Sequence, residues 1–290
     1  MTRIVRIAAA AYPFDWLDDW AAYAAKITAW VADAGDCDLL VFPEYGAMEL
    51  ASLGGRVIAG DLQASLHEVA RQGAARDGLH AELAARHGCH ILAASGPAFQ
   101  GARPVNRAVL FGPQGRIGHQ DKQVMTRFER EDWDIARGEG LRLFDTPVGR
   151  LGVVICYDSE FPLLGRALAE AGAEILLVPS CTDTVAGFHR VRIGAMARAL
   201  ENQCVVVQAP TVGPCDWNPA IDENRGRAAI YAPPDGLWPD SGILAQGDMD
   251  APGWVKATVD LDRVAESRRA GRVLPFAHWP ESAGVPVNDA

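Results

Sequence analysis

The sequence predicts an α/β fold, and two patterns support this prediction. Apolar runs of strand length recur along the chain, and several are continuous, which is typical of strands buried on both faces. Helical patterns lie between many of these runs, and such alternation favours α/β folds. The 290 residues contain no linker, repeat or low-complexity tract. We therefore expect a single domain over residues 1–280 and a C-terminal tail over residues 281–290.

Nine apolar runs are predicted to form strands, because each has strand length and is rich in Val, Ile, Leu or Ala. They cover residues 3–11, 38–42, 90–94, 107–111, 151–156, 174–178, 204–208, 228–231 and 255–259.

Four segments have helical patterns, and three segments rich in Pro and Gly are predicted to be loops within the domain. The predicted helices cover residues 15–33, 62–87, 163–171 and 190–201. The predicted loops cover residues 96–104, 211–219 and 233–242.

Composition excludes several classes of partner. The net charge of −10 argues against nucleic acid, since phosphate contacts require a basic surface. The apolar runs are too short to span a bilayer, and Arg6 interrupts the apolar N-terminus, which therefore does not resemble a signal peptide. We expect a cytoplasmic protein without a membrane or nucleic-acid partner. The six cysteines include no Cys-x-x-Cys pair, so disulfides are not expected and most of the thiols should be inert.

The first candidate for a functional site is Glu44. It follows the predicted strand 38–42 and the single residue Pro43. A carboxylate just past a buried strand lies at the rim of the sheet, where α/β folds bind ligands. Taken alone, Glu44 fits the interpretation as a loop glutamate in water better than a functional one.

The second candidate is Lys122, which follows Asp121 and precedes Glu129 by seven residues. A single lysine in a polar segment is normally a solvated surface residue, so this segment indicates little by itself.

The third candidate, Cys156, has stronger local support. It ends the apolar run 151–156 and precedes the predicted helix 163–171. A cysteine at a strand–turn–helix junction faces free N–H groups and partial positive charge, which stabilise a thiolate and an oxyanion. The alternative is a buried, inert strand cysteine.

Together these residues supply a complete chemistry. Attack on an amide carbonyl needs a nucleophile, a base, an oxyanion donor and an acid for the leaving amine. A cysteine, a glutamate and a lysine provide all of these, so neither a cofactor nor a metal is expected. No clustered Cys/His ligand set points to a metal.

The ordered motifs Phe-Pro-Glu44, Asp-Lys122 and Cys156-Tyr157-Asp158 resemble those of the nitrilase superfamily of carbon–nitrogen hydrolases. The separations of 78 and 34 residues between Glu44, Lys122 and Cys156 match as well. Further similarity covers most of the chain: Glu129 falls where the family has its second glutamate, and residues 197–202 resemble its Arg-Ala-Ile-Glu-Asn helix end.

The resemblance implies a four-layer α-β-β-α sandwich that associates as a homodimer or higher homo-oligomer. It implies that Glu44 is the general base and then the acid, and that Cys156 forms a thioester. Lys122 and the Tyr157 backbone N–H would stabilise the oxyanion, and Glu129 would position the substrate. A buried lysine between two carboxylates should remain protonated.

Two departures from the family patterns bear on the substrate, which we expect to be a small-molecule amide. True nitrilases usually follow the cysteine with Trp-Glu, whereas Tyr157-Asp158 resembles the amidase and carbamoylase branches, so we expect amide hydrolysis. Many amidases have an arginine where this chain has Glu160. If Glu160 faces the pocket, it disfavours a substrate carboxylate and favours a neutral or cationic substrate. The alternative is that Glu160 caps a helix or pairs with Arg190 or Arg192.

The residues after the next predicted strand should border the same rim. Cys181 and Thr182 are candidates for the pocket wall, and Asp183 is a candidate second negative charge. Each is equally compatible with an ordinary structural role.

Three other functions remain open at this stage. They are nitrile hydrolysis, acyl transfer from the same thioester to an amine, and a non-catalytic binding protein on a hydrolase fold.

Overall fold

The computed structural model describes residues 2–288, which form an α/β fold with thirteen strands in the described part. The strands are β1 (Ile4–Pro13), β2 (Leu39–Val41), β3 (His90–Leu92), β4 (Gly96–Gln100), β5 (Arg103–Gly112), β6 (Gly115–Asp121), β7 (Leu143–Thr146), β8 (Gly149–Val153), β9 (Ile175–Ser180), β10 (Val205–Val212), β11 (Ala229–Tyr231), β12 (Ile243–Gln246) and β13 (Gly253–Asp260).

Nine α-helices connect or flank these strands within residues 2–288, together with three short 3₁₀ helices at Gly46–Gly54, Cys156–Glu160 and Trp279–Ser282. The α-helices are α1 (Trp20–Asp33), α2 (Gly55–Ala59), α3 (Leu62–Arg71), α4 (Gly73–His87), α5 (Arg127–Glu131), α6 (Pro162–Glu170), α7 (Val185–Asn202), α8 (Asp262–Ala270) and α9 (Pro275–His278).

The strands form two hydrogen-bonded sheets that meet along one short edge. In the first sheet, β1 lies between β2 and the antiparallel β13, and β3, β5, β4 and β6 continue from β2. In the second sheet, β10, β9 and β8 are parallel, and β7, β11 and β12 complete it. The sheets join where Tyr12 and Pro13 of β1 pair with Thr211 and Val212 of β10.

The side chains of β1 alternate between two cores, as the period of two in a strand requires. Val5, Ile7, Ala9 and Ala11 pack into the core shared with the second sheet. The intervening Ala8, Ala10 and Tyr12 pack into the core beneath α1, α3 and α4. Because α6 and α7 cover the second sheet, the layers are helix, sheet, sheet and helix, which confirms the four-layer prediction.

All nine predicted strands are present, with shifted ends, but three predicted helices differ. The helix predicted over residues 190–201 begins earlier, at Val185, because the Thr184 side chain accepts a hydrogen bond from the Gly187 N–H (3.0 Å) and caps the helix there. The segment 62–87 is two helices, α3 and α4, that meet at Gln72. The first helix begins at Trp20, not at residue 15, because the Asp19 side chain accepts a hydrogen bond from the Ala22 N–H and caps the helix there.

Two other terminal and loop predictions also change. The segment 96–104, predicted to be a loop, forms β4 and the turn into β5. The predicted tail 281–290 overlaps the 3₁₀ helix Trp279–Ser282, and residues 289 and 290 lie outside the described residues. Within residues 2–288, none of the helices has the length and apolar character needed to cross a membrane.

Candidate active site

Three strand ends bring the predicted catalytic residues into one place. Glu44 follows β2, Lys122 directly follows β6, and Cys156 follows β8 at the start of a 3₁₀ helix. All three residues are buried: the exposed fraction of the surface is 1% for Glu44, 1% for Lys122 and 4% for Cys156. The Lys122 backbone N–H donates to the Asn106 carbonyl (2.9 Å), which holds the chain after β6 against β5.

Glu129 is fixed by the local fold of α5. Thr126 caps this helix, and its backbone N–H and hydroxyl both donate to Glu129 Oε2 (2.9 Å each). This capping box holds the Glu129 carboxylate in one orientation. Tyr45 Oη donates to the other oxygen, Oε1 (2.8 Å).

The Lys122 ammonium lies between two carboxylates. Its Nζ is 2.7 Å from Glu44 Oε1 and 2.7 Å from Glu129 Oε2. Burial would lower the pKa of Lys122, but the adjacent carboxylates of Glu129 and Glu44 outweigh burial and hold the pKa well above its usual value. The prediction that this lysine remains protonated is therefore confirmed.

The two carboxylates are in different electrostatic environments. Burial raises the pKa of Glu44, and the nearby Lys122 only partly opposes this effect. Burial also acts on Glu129, but Lys122 and the hydrogen bonds from Thr126 and Tyr45 bring the pKa of Glu129 below its usual value. The pKa values of these two neighbouring carboxyl groups are shifted in opposite directions, so the two groups suit different roles. Glu44, with the raised pKa, is the better proton acceptor.

Glu44 also contacts the segments around the nucleophile. Its Oε2 accepts from the backbone N–H of Cys181 (2.9 Å), the residue that follows β9, and its Oε1 accepts from Asn106 Nδ2 (3.0 Å). Cys156 Sγ lies 3.7 Å from the Cys181 carbonyl oxygen. The thiol, the ammonium and both carboxylates therefore converge; we call Glu44, Lys122, Glu129 and Cys156 the cavity floor.

The thiol itself differs from the sequence-based expectation. The backbone of Cys156 has φ of 49°, a left-handed conformation that is strained for a residue with a Cβ. Burial, and then the Glu44 carboxylate, raise the pKa of Cys156 well above its usual value, so the expected lowering at a helix N-terminus is wrong. The turn is a five-residue 3₁₀ helix, and α6 begins only at Pro162. The resting thiol is therefore protonated and needs a base.

Three supporting residues were missed from the sequence. Asn106 and Tyr45, described above, hold the two glutamates. Asp158 is buried, and its carboxylate accepts from the backbone N–H groups of Gln123 (3.0 Å) and Val124 (2.8 Å), which ties the nucleophile turn to the segment after Lys122. Burial raises the pKa of Asp158 to about 7. The motif Cys-Tyr-Asp was the available signal for Asp158, whereas Asn106 lies one residue outside the predicted strand.

An open cavity of about 620 Å³ lies above the cavity floor. All five predicted substrate-binding residues line it, namely Tyr157, Glu160, Cys181, Thr182 and Asp183. Glu160 fulfils both alternatives, because it lines the cavity and also pairs with Arg190, with 3.4 Å between Glu160 Oε1 and Arg190 Nε. Asp183 is exposed at the rim.

Comparison with known proteins identifies the family. A sequence model of the carbon–nitrogen hydrolase family matches residues 6–269. The chain belongs to this family. Probable hydrolase YhcX of Bacillus subtilis (strain 168) is 31% identical over 271 residues, which are 93% of this chain and 52% of that protein. Deaminated glutathione amidase of Yersinia enterocolitica is 39% identical over 144 residues, which are 46% of this chain and 50% of that protein.

This carbon–nitrogen hydrolase chain thus spans about half the length of the curated relatives it matches. Among solved structures, a mutant of the amidase from Nesterenkonia sp. AN1 aligns with a TM-score of 0.66 and 21% identity over 93% of this chain and 95% of that chain. In that structure, the acetamide moiety of fluoroacetamide is covalently added at the active-site cysteine. The alignment supports the shared fold, and the predicted membership of the nitrilase superfamily is confirmed.

Proposed function

We propose that this protein hydrolyses a non-peptide C–N bond in a small linear amide or N-carbamoyl compound, through a thioester on Cys156. The observation that carries the proposal is the cavity floor, where Lys122 Nζ lies 2.7 Å from each of two carboxylates beside a buried thiol. A nucleophile, a base and a cation for the oxyanion are the parts that amide hydrolysis requires.

In the first step, Glu44 takes the proton of the Cys156 thiol as the sulfur attacks the amide carbon. The C–S bond forms, and the carbonyl oxygen becomes an oxyanion. The raised pKa of Glu44 suits this role, because a stronger base shares the proton more evenly with a weakly acidic thiol. The Lys122 ammonium stabilises the oxyanion, and the Tyr157 backbone N–H is the second donor.

In the second step, the tetrahedral intermediate collapses. The C–N bond breaks as Glu44 donates the proton it took from the thiol to the nitrogen, and ammonia or an amine leaves. Water then attacks the thioester while Glu44 takes its proton. Collapse breaks the C–S bond and releases a carboxylic or carbamic acid, while Glu44 gives the proton it took from water to the sulfur and so restores the thiol. Glu129 holds Lys122 and the substrate in place.

The proposal is tested by measuring ammonia release from primary amides and N-carbamoyl amines, with the matching nitrile beside each amide. We expect amide turnover that is lost in Cys156→Ala and retained in Cys37→Ala, because Cys37 is a buried cysteine that does not line the cavity. Turnover of the nitrile but not the amide would indicate a nitrilase. Absence of ammonia from every amide, with no adduct on Cys156, would favour a binding protein.

A further inference from the structure

The cavity that contains Cys156 is lined by more negative than positive charge. Nine charged side chains line it, and six of them are carboxylates. Glu44, Glu129 and Lys122 belong to the cavity floor. The other six form the cavity rim, which we define as Arg127, Glu160, Asp183, Arg190, Asp222 and Glu223.

Both rim arginines are already bonded to carboxylates. Arg127 makes two hydrogen bonds to Glu131 (3.0 and 2.9 Å), and Arg190 pairs with Glu160 (3.4 Å). A substrate carboxylate would have to compete with these partners for either guanidinium. By contrast, Asp183, Asp222 and Glu223 form no ion pair with any residue in the range 2–288. The rim therefore repels anions and attracts cations.

The aromatic lining is a second and independent feature. Trp133, Phe128 and Tyr157 line the same cavity, and Trp133 packs edge-to-face on Tyr45 with 5.0 Å between ring centroids. Aromatic faces attract ammonium and guanidinium groups through the ring quadrupole, and they do not attract carboxylates in this way.

From these two features, and resting on the proposed function, we infer that the preferred substrates carry a cationic group, an ammonium or guanidinium, on the side remote from the scissile C–N bond. Asp183, which has no ion-pair partner among residues 2–288, is the main specificity-determining residue, and Glu160 adds to it because its single 3.4 Å contact with the exposed Arg190 offsets its charge only in part. Asp183 lies two residues after Cys181, whose backbone N–H donates to the Glu44 carboxylate. The segment that follows β9 therefore positions both the base, Glu44, and the negative charge of Asp183. A dicarboxylate monoamide is disfavoured.

The first test compares three straight-chain primary amides of equal length that end in an ammonium, a methyl or a carboxylate group. We expect kcat/KM for the ammonium compound to exceed that for the carboxylate compound on the order of 100-fold, because like charges in one site cost several kcal/mol. The preference should shrink between 0.01 and 1 M salt, as screening shortens from about 30 to about 3 Å. Equal rates, or preference for the carboxylate compound, would overturn the inference.

The second test removes one charge at a time. Asp183→Asn and Glu160→Gln should each raise KM for the ammonium amide about threefold while kcat and the methyl-ended amide change little. Asp145→Asn removes an exposed carboxylate of β7 outside the cavity and should change none of these values. Equal effects of Asp145→Asn and Asp183→Asn would show that only net charge matters and would contradict a specific role for the rim.

A third measurement separates this inference from the proposed function. Cationic and anionic methanethiosulfonate reagents of similar size modify thiols without any hydrolysis. We expect the cationic reagent to label Cys156 faster, relative to their rates with a free small thiol, with the site verified by peptide mass mapping. Amide turnover without this charge preference would contradict the inference but not the proposed function. The charge preference without turnover of any amide would contradict the proposed function but not the charge selectivity of the cavity.

Discussion

The cavity floor and the cavity rim contain similar charged groups in contrasting surroundings. On the floor, Lys122 and its two glutamates are almost fully buried, Lys122 Nζ lies 2.7 Å from each carboxylate, and each of these three side chains has more than one polar partner. At the rim, the pair of Arg190 and Glu160 is half-open to water and joined by one long contact. Buried, fully bonded charges are rigid and costly to disrupt, whereas exposed ones contribute little to stability. The floor is thus suited to chemistry and the rim to selecting substrates.

The largest expected effect comes from removing the floor cation. Lys122→Met should abolish turnover and lower the free energy of unfolding by about 3–5 kcal/mol, because two buried carboxylates lose their partner. Urea denaturation followed by circular dichroism measures the change. The matched control is Arg86→Gln, which breaks an exposed pair with Glu82 and should leave stability unchanged. Equal stability of the two variants would contradict the contrast between floor and surface.

Next in size is the loss of the base. Glu44→Gln should reduce kcat by about 10²–10⁴-fold, the usual contribution of a general base, while the fold is retained. Glu129→Gln should instead weaken the hold on Lys122 and impair kcat and KM together. Steady-state kinetics on one amide distinguishes the variants. An unchanged kcat in Glu44→Gln would show that this residue takes no part in the proton transfers.

Asp158 gives a pH-dependent prediction of intermediate size. Its pKa of about 7 lies above the usual 3.8, so the folded protein keeps a proton that the unfolded chain loses in that range. Its contribution to stability therefore falls as pH rises from about 4 to about 7. Asparagine does not titrate, so Asp158→Asn should gain stability relative to the wild type across this window.

The relative gain should be on the order of 2–4 kcal/mol, at about 1.4 kcal/mol per pH unit for one proton. Chemical denaturation at pH 4 and pH 7 provides the measurement. The exposed Asp145→Asn is the control and should show no such gain. A relative stability of Asp158→Asn that is independent of pH would mean that this carboxyl does not titrate in the window.

The smallest effect is expected at the rim. Arg190→Gln should change the free energy of unfolding by less than about 0.5 kcal/mol, because this guanidinium is mostly exposed and makes one long contact. Turnover of an uncharged amide should be unchanged, since the rim takes no part in the chemistry. A large loss of stability would show that the rim is as tightly coupled as the floor.

The sequence predicted the parts of the fold and site that depend on local pattern. Continuous apolar runs located nine strands, and the strand-end positions of Glu44 and Cys156 are visible in those runs. β6 was missed because Gly115–Asp121 is largely polar, so Lys122 resembled a surface lysine. Its burial depends on packing against β5, and its charge is balanced by Glu44, 78 residues earlier, and by Glu129, seven residues later.

Long-range contacts account for the other failures. The raised pKa of Cys156 results from burial and from Glu44, which is 112 positions earlier, and these effects outweigh the lowering of the pKa expected at a helix N-terminus. Asn106 is a polar residue beside an apolar run, and only its contact with Glu44 reveals its role. Cytoplasmic location and assembly as a homodimer remain predictions.

The most direct test of the central claim is rapid acid quenching during turnover of a primary amide, followed by peptide mass spectrometry. The peptide containing Cys156 should carry the acyl group, whereas Cys156→Ala should carry none and release no ammonia. Ammonia release with Cys156 unmodified, or undiminished release by Cys156→Ala, would rule out a thioester on Cys156.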